Sequence, residues 1–270
     1  MNKMNGNKIL KEAYEDIKSI VLSYYMNKVK LFFILKRFKD IQVDLTNMSK
    51  ATISADFVNE KDNIDLRRAW KIDKNDDIFT LKFDEKTGNY FEKQTFSDLY
   101  IMTGISCFEK YCKDWFILGL KYCPNRLNFF SKKQISVYEL IKSKDIKENL
   151  INKIVDDINF QNTEICSNKF KDVFGFEIFE TIDEKYKFEK YVNHRHIISH
   201  NLGYIDKSYI EKTKLDDLLS GQLILDDLLS GQLIFLREDE LQDFEGRLDN
   251  IIERIATNIG EIIHLELKKY

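Results

Sequence analysis

The stretch IMTGISCFEKYCKDWF, from Ile101 to Phe116, decides the fold of this chain. Its apolar residues recur every three or four positions, which places them on one side of an α-helix. This stripe contains Ile101, Ile105, Phe108, Cys112, Trp115 and Phe116. The pattern predicts a core-facing helix from about Thr95 to Tyr122, ended by Pro124, the single proline of the chain.

Outward from this helix, apolar periodicity predicts a long helix towards each end of the chain. The first runs from Lys8 to about Asp40, and the last from Asp239 to about Lys268. The last helix carries apolar residues at the spacing of a helical bundle: Leu241, Phe244, Leu248, Ile251, Ile255 and Ile262.

The segments between these helices give weaker signals. A polar interval extends to about Phe96, and within it DIFTLKF, residues 77–83, alternates like a short strand. Ser136 and Glu139 have capping-box spacing at the start of residues 136–160, where two short helices are expected.

A second capping-box pattern lies further along the chain. Thr181 and Glu184 predict a helix that continues to Asn201, with Gly203 placed to close it in a left-handed conformation.

The composition agrees with a helical fold. One proline and ten glycines in 270 residues disfavour a turn-rich all-β protein. We therefore predict a mainly α protein: a bundle of four to five helices with an N-terminal helical extension and a short β element. Residues 1–94 form the extension, braced on the bundle, and residues 95–270 form the helical domain.

The charge balance limits how the chain can contact nucleic acid. A net charge of −3 and a pI near 5.9 provide no overall basic field, so any such contact needs a local patch. The first helix offers one candidate, for which a solvated basic face is the alternative reading. Its members are Lys28, Lys30, Lys36, Arg37 and Lys39.

The cysteines predict neither a zinc site nor a disulfide framework. They lack paired C-x-x-C spacing and are too few to staple a fold, so we expect reduced, partly buried thiols. They are Cys107, Cys112, Cys123 and Cys166.

The N-terminal region predicts a cytoplasmic protein without a membrane span, in which the first long helix is a soluble amphipathic helix or one that binds a membrane surface. The first 18 residues contain no apolar leader, and the most apolar stretch that follows is interrupted by Asn27, Lys28 and Lys30.

The decapeptide LDDLLSGQLI occurs twice in succession, at residues 215–224 and 225–234. Two copies of ten residues are too few and too short for a stacked repeat protein. We interpret them as a duplication absorbed by a loop or a short hairpin, without a chemical role.

The segment NHRHIISHNLG, Asn193 to Gly203, holds three of the four histidines of the chain. His194 and His196 are two apart and point away from each other on a helix, so they cannot share a metal there. His196 and His200 resemble the H-x-x-x-H spacing of zinc hydrolases, but Ile197 stands where the catalytic glutamate would be. No metal and no cofactor are therefore expected.

Arg195 is the unusual residue of this segment. Helical geometry places Phe188, Tyr191, Val192, Ile198 and Leu202 within about 60° of it, so a charge lies on an apolar face. A buried guanidinium needs an acid, a cleft or a symmetry mate, and Glu109 is the candidate acid. The structural alternative is a salt-bridged or snorkelling arginine beside histidines that cap carbonyls.

These residues resemble the HEPN superfamily. RHIISHN fits its R-x4-H signature, with Arg195 and His200 at the signature positions and polar His196 after the arginine. The upstream CFEKYCKDWF and the surrounding YVNHRHIISHNLGYIDKSYIEKT are also similar to HEPN proteins of bacterial defence and toxin loci. The resemblance covers about Thr95 to Lys268.

The resemblance implies a HEPN-like helical bundle that forms a homodimer with a composite, metal-independent ribonuclease site. Such a site cleaves single-stranded RNA by attack of the 2′-hydroxyl on the adjacent phosphate. Arg195 and His200 would be catalytic, supported by His196, Asn201 and Glu109. We expect a role in phage defence, as a toxin or an abortive-infection effector, with an antitoxin or nucleotidyltransferase as a partner.

One position departs from the family. Leu202 stands where the toxin variant has a tyrosine, which argues against control by nucleotidylation of that tyrosine. Two alternatives to the enzyme remain at this point: a non-catalytic HEPN-type module that binds RNA or a nucleotide, and a structural helical partner of another protein.

Overall fold

The computed structural model of the chain describes residues 3–40, 85–131, 145–204, 209 and 236–269, and these are mostly helical. This confirms the mainly α class. The helices are α1 (Lys3–Asp40), α2 (Glu85–Tyr122), a 3-10 helix (Pro124–Phe130), α3 (Ile146–Asp156), α4 (Thr163–Phe174), α5 (Ile182–Asn201) and α6 (Glu238–Leu267).

Helix α2 is the centre of the bundle. It packs against each of the five other α-helices. The six residues of its predicted stripe are at most 1% exposed, as expected for a core-facing helix. Gly104 lies where α2 meets α6, and a Cβ atom there would come within 2.4 Å of the Phe244 ring. The absence of a side chain at Gly104 therefore permits the close approach of these two helices.

The terminal helices agree with the sequence in position and in burial. Helix α1 packs on α2 and α6, so it shares one core with the rest of the bundle. In α6 the predicted apolar residues are buried except Ile262, which is partly buried at the edge, while Ile259 and Ile263 complete the buried stripe.

The structure differs from the prediction at the start of α1, which begins at Lys3 and not at Lys8, at the start of α2, and in one additional helix. Helix α2 begins at Glu85, ten residues before its predicted start. Helix α4 was not predicted; it begins after Asn162, whose side chain accepts a hydrogen bond from the Ile165 amide, and ends at the left-handed Gly175. This helix is short, and its polar and apolar residues alternate closely. Its sequence therefore shows no clear helical repeat of apolar residues.

Several predictions lie outside the described residues. They are the strand at 77–83, the capping box at Ser136 and Glu139, and both copies of the duplicated decapeptide. Of the two short helices expected in residues 136–160, the described part contains α3, capped by the side chain of Asp145.

All four cysteines are free thiols, as predicted, and all are buried. Cys112 and Cys166 lie side by side with no exposed surface, and burial raises the pKa of Cys112. A thiol that is buried and protonated is a poor nucleophile, so its contribution is to packing.

Within the described ranges, none of the helices is both long enough and apolar enough to cross a membrane.

Candidate active site on helix α5

Helix α5 carries the histidine-rich segment, and its two ends are fixed differently. At the start, the Thr181 hydroxyl accepts a hydrogen bond from the Glu184 amide, as the capping pattern predicts. Arg254 of α6 donates to the Glu184 carboxylate at 3.1 Å and to the Ile178 carbonyl at 2.6 Å. These bonds hold the first turn of α5 against α6.

Helix α5 ends at Asn201 and Gly203 is left-handed, both as predicted, but Leu202 between them is left-handed as well. Leu202 already has a left-handed backbone, with φ 52°, and Gly203 follows with φ 82°. The Gly203 amide donates to the Ile197 carbonyl at 3.2 Å, which caps the last turn. A left-handed leucine is strained, and its side chain is 79% exposed, so neither backbone preference nor burial explains it.

The middle of α5 is attached to α6 by Tyr191. Its hydroxyl lies 2.9 Å from both the Glu240 carbonyl and the Asp243 carboxylate, while Arg247 donates to the same carboxylate. These contacts fix the rotation of α5 and therefore the direction of the side chains in its last two turns.

His194 is a core residue, which the sequence analysis did not anticipate. It is 3% exposed, its Nε2 lies 3.0 Å from the Tyr209 hydroxyl, and its Nδ1 lies 3.0 Å from the Lys190 carbonyl. Burial lowers its pKa to about 3, so the ring is neutral near pH 7. The signal was its position three residues after Tyr191, on the buried side of the helix.

Arg195 lies against Glu109 of α2, the acid selected from the sequence. Arg195 Nη2 and Glu109 Oε1 are 3.9 Å apart, and the two side chains are 23% and 19% exposed. That distance is too long for a hydrogen bond. Arg195 Nε and Glu109 Oε1 are buried without a hydrogen-bond partner within the described residues.

The other contact of Glu109 is with Gln161, whose amide nitrogen lies 3.3 Å from Glu109 Oε2. Burial raises the pKa of Glu109, and the charge of Arg195 opposes that rise. The guanidinium thus has one loose acidic neighbour and retains unused donors.

The expected position of Arg195 in the middle of the apolar face needs correction. Phe188 and Tyr191 are buried as predicted, but Val192 and Ile198 are only partly buried, and Leu202 is exposed. Because buried His194 and Ile197 belong to the same face, its centre is shifted away from Arg195. Arg195 therefore lies at the border of the core.

His196 and His200 form the exposed side of the helix end. Their ring centroids are 4.5 Å apart with a 44° angle between planes, one helical turn along the same face. Asn201 donates from its side-chain amide to the Tyr204 carbonyl at 2.6 Å, which ties the loop to the helix end.

The α-helix is unbroken from Ile182 to Asn201, so its last turn is regular up to His200. Residues five apart on such a helix differ by about 140° in direction. Arg195 accordingly reaches α2, whereas His200 is exposed to solvent.

A cleft of about 620 Å³ lies between α2 and residues 156–161, and Arg195 is not among the residues that line it. Glu109 and Gln161 line this cleft and also belong to the Arg195 contact. Its charged walls include Lys110 and Lys113, which pair with Asp114 and Asp156 respectively. The cleft therefore has a mixed polar lining, which includes the carboxylate that the guanidinium contacts.

No cluster of three or more potential metal ligands exists in the described part of the chain. The potential ligands meant here are the side chains of histidine, cysteine, aspartate and glutamate.

The basic cluster of α1 is largely committed to the fold. Lys28 pairs with Asp249 and, at 3.6 Å, with Glu245. Arg37 and Lys39 pair with Glu92 at 2.6 Å and Glu238 at 2.9 Å. Three of the five cations are thus partly neutralised by acids of α2 and α6, which weakens the hypothesis of a phosphate-binding patch there.

Comparison with known proteins finds no protein family, no curated protein and no solved structure that matches this chain.

Proposed function

We propose that this protein is a metal-independent endoribonuclease that cleaves single-stranded RNA by attack of a 2′-hydroxyl on the adjacent phosphate. The proposal depends chiefly on one observation: a guanidinium with an unused Nε donor contacts Glu109 at the wall of a cleft, and it lies on the same two helical turns as two exposed histidines. The similarity of this segment to the HEPN signature supports the same chemistry.

His200 is the proton-transfer group in this proposal, because its ring is exposed and an imidazole can both accept and donate a proton near neutral pH. Arg195 stabilises the negative charge that develops on the phosphorane. Glu109 holds Arg195, His196 supports His200 by ring contact, and Asn201 fixes the end of the helix.

Arg195 and His200 diverge on an unbroken helix, so one chain does not aim both groups at a single phosphate. We propose that two copies face each other and form one composite site in a homodimer, with RNA as the substrate. In the cell, uncontrolled RNA cleavage suits a toxin or an abortive-infection effector in phage defence, restrained by an antitoxin or a nucleotidyltransferase.

The proposal is tested with His200→Ala and Arg195→Ala, assayed on single-stranded RNA. Each is expected to reduce the cleavage rate by about 10² to 10⁴. His264→Ala is the matched control: this exposed histidine lies ten residues beyond Arg254 on α6, at the end of the bundle away from His200. Its rate should equal that of the unmodified protein.

A mixture of the two inactive variants tests the composite site. Dimers that contain one copy of each should have an activity that differs from the average of the parents. Full activity of the His200→Ala variant would contradict the proposed ribonuclease mechanism. RNA binding without cleavage by the unmodified protein would favour the non-catalytic binding module.

A further inference from the structure

Helix α1 has two apolar faces, of which the bundle uses one. Ala13, Tyr24, Leu31, Leu35 and Phe38 are buried against α2 and α6. On the opposite side, six apolar side chains remain between 49% and 62% exposed: Leu22, Tyr25, Met26, Val29, Phe32 and Phe33. A contiguous apolar strip of this kind is unusual on a monomer and marks an interaction surface.

We propose that this strip binds the same strip of a second copy of the chain, with the two α1 helices antiparallel. The charges at the ends of the strip select this arrangement. In an antiparallel pair centred between Tyr25 and Met26, residue n of one copy lies opposite residue 51 − n of the other copy. Leu22 then faces Val29 and Tyr25 faces Met26, while Phe32 and Phe33 lie opposite Ser19 and the aliphatic stem of Lys18.

The same register places opposite charges together at both ends. Lys11 faces Asp40, and Glu15 faces Lys36. All four are exposed, and none of them forms an ion pair within the described residues. A parallel arrangement in the same register would place each charge opposite its own copy, which is unfavourable.

The size of the strip fits a dimer. At roughly 100 Å² of remaining surface for each large apolar side chain, the six would bury about 600 Å² per chain. The flanking charged residues bring the total to about the 800 Å² per partner of a standard stable interface. This contact lies on a different helix from the ribonuclease site and does not depend on the proposed function.

The charge pairing is tested by measuring the mass of the assembly as a function of protein concentration. Glu15→Lys should weaken association by about tenfold or more, because two Lys–Lys contacts replace two ion pairs in each symmetric interface. The double variant Glu15→Lys with Lys36→Glu should restore it. Glu253→Lys, at an exposed position of α6, makes the same change of net charge and should have no effect.

If the α5 site also forms an interface, Glu15→Lys should leave dimers joined through α5 instead of producing monomers. A mass that is unchanged by Glu15→Lys, or a loss that Lys36→Glu does not restore, would overturn the proposal. Circular dichroism of each variant shows whether α1 remains helical.

Cross-linking tests the register directly. The double variant Leu22→Cys with Val29→Cys should form covalent dimers with a short thiol-reactive cross-linker, because position 22 faces position 29 of the other copy. Either single variant should not, since equal positions are separated by about 10 Å along the helix axis. The native cysteines are buried and provide the background. Equal cross-linking of single and double variants would contradict this register.

Discussion

Arg195 has an incomplete set of contacts within the described residues, which in the proposed enzyme leaves donors for a phosphate. Its only described ion pair is with Glu109 at 3.9 Å, and its Nε has no hydrogen bond within the described residues. A bidentate pair would have used the donors that a phosphate needs. We interpret Glu109 as a positioning residue that orients the guanidinium without using its hydrogen-bond donors.

Glu109→Gln should therefore lower the rate of RNA cleavage by about tenfold, because an uncharged amide no longer orients the guanidinium. Glu109→Asp should recover part of the rate, which a purely structural role would not predict. The thermal midpoint should fall as well, since the substitution leaves a largely buried guanidinium without its acid, so the rates are compared well below the midpoints of all variants. Glu253→Gln, at an exposed position, is the control, and an equal loss in that variant would contradict the assignment.

His194 gives the protein a dependence of stability on pH. Its folded-state pKa of about 3 lies below the ordinary value of 6.5, so the unfolded chain binds a proton more readily. The stabilisation is complete above about pH 6.5 and is lost as the pH falls towards the folded-state pKa. This residue should account for a loss of about 2 kcal/mol between pH 6.5 and pH 5.

Urea unfolding at the two pH values measures this effect. His194→Gln does not titrate and should show a smaller loss of unfolding free energy on acidification. His264→Gln removes an exposed histidine and should retain the dependence of the unmodified protein. Identical pH dependence in all three proteins would show that His194 is not the responsible group.

At the scale of the helices, the contact between α2 and α6 depends on a missing side chain. Gly104→Ala would place a methyl group 2.4 Å from the Phe244 ring, which is itself fully buried. We expect a loss of about 1–3 kcal/mol in the free energy of unfolding from overpacking. Gly246→Ala in α6 meets nothing within 4 Å and should instead stabilise the protein by about 0.5–1 kcal/mol. Equal effects of the two substitutions would contradict this packing.

Helices with long apolar stripes could be predicted from the sequence, and those without could not. In α2 and α6 the apolar stripe repeats over many turns, so both helices could be predicted, although the predicted start of α2 lies ten residues after the observed one. The twelve residues of α4 offer too few turns for the pattern to emerge. The face of α5 was assigned from Arg195, whereas the buried His194 shifts it.

At the scale of the whole molecule, only part of the candidate site could be predicted from the sequence. The pairing of Arg195 with an acid follows from the cost of burying a charge, and the sequence was sufficient to select Glu109. In the proposed dimer, a group of the second chain that faces His200 would leave no mark on the periodicity of the first. The exposed apolar strip on α1 was not predicted either. This helix has apolar residues on two opposite faces, so hydrophobicity differs little between its sides.

The duplicated decapeptide should be dispensable for the whole molecule. Deletion of residues 225–234 leaves one copy, and a change in length costs little where the chain has few long-range contacts. We expect a shift of under about 2 °C in the thermal midpoint and an unchanged cleavage rate. A large drop in the midpoint would show that the second copy has become part of the core.

The central claim is RNA cleavage without a metal, and the chemistry of the product ends tests it most directly. The purified protein is incubated in EDTA with a single-stranded RNA and with the DNA of the same sequence, and the product ends are identified. We predict cleaved RNA with 2′,3′-cyclic phosphate and 5′-hydroxyl ends, and intact DNA, which has no 2′-hydroxyl nucleophile. Cleavage of the DNA, or loss of RNA cleavage in EDTA, would contradict the account.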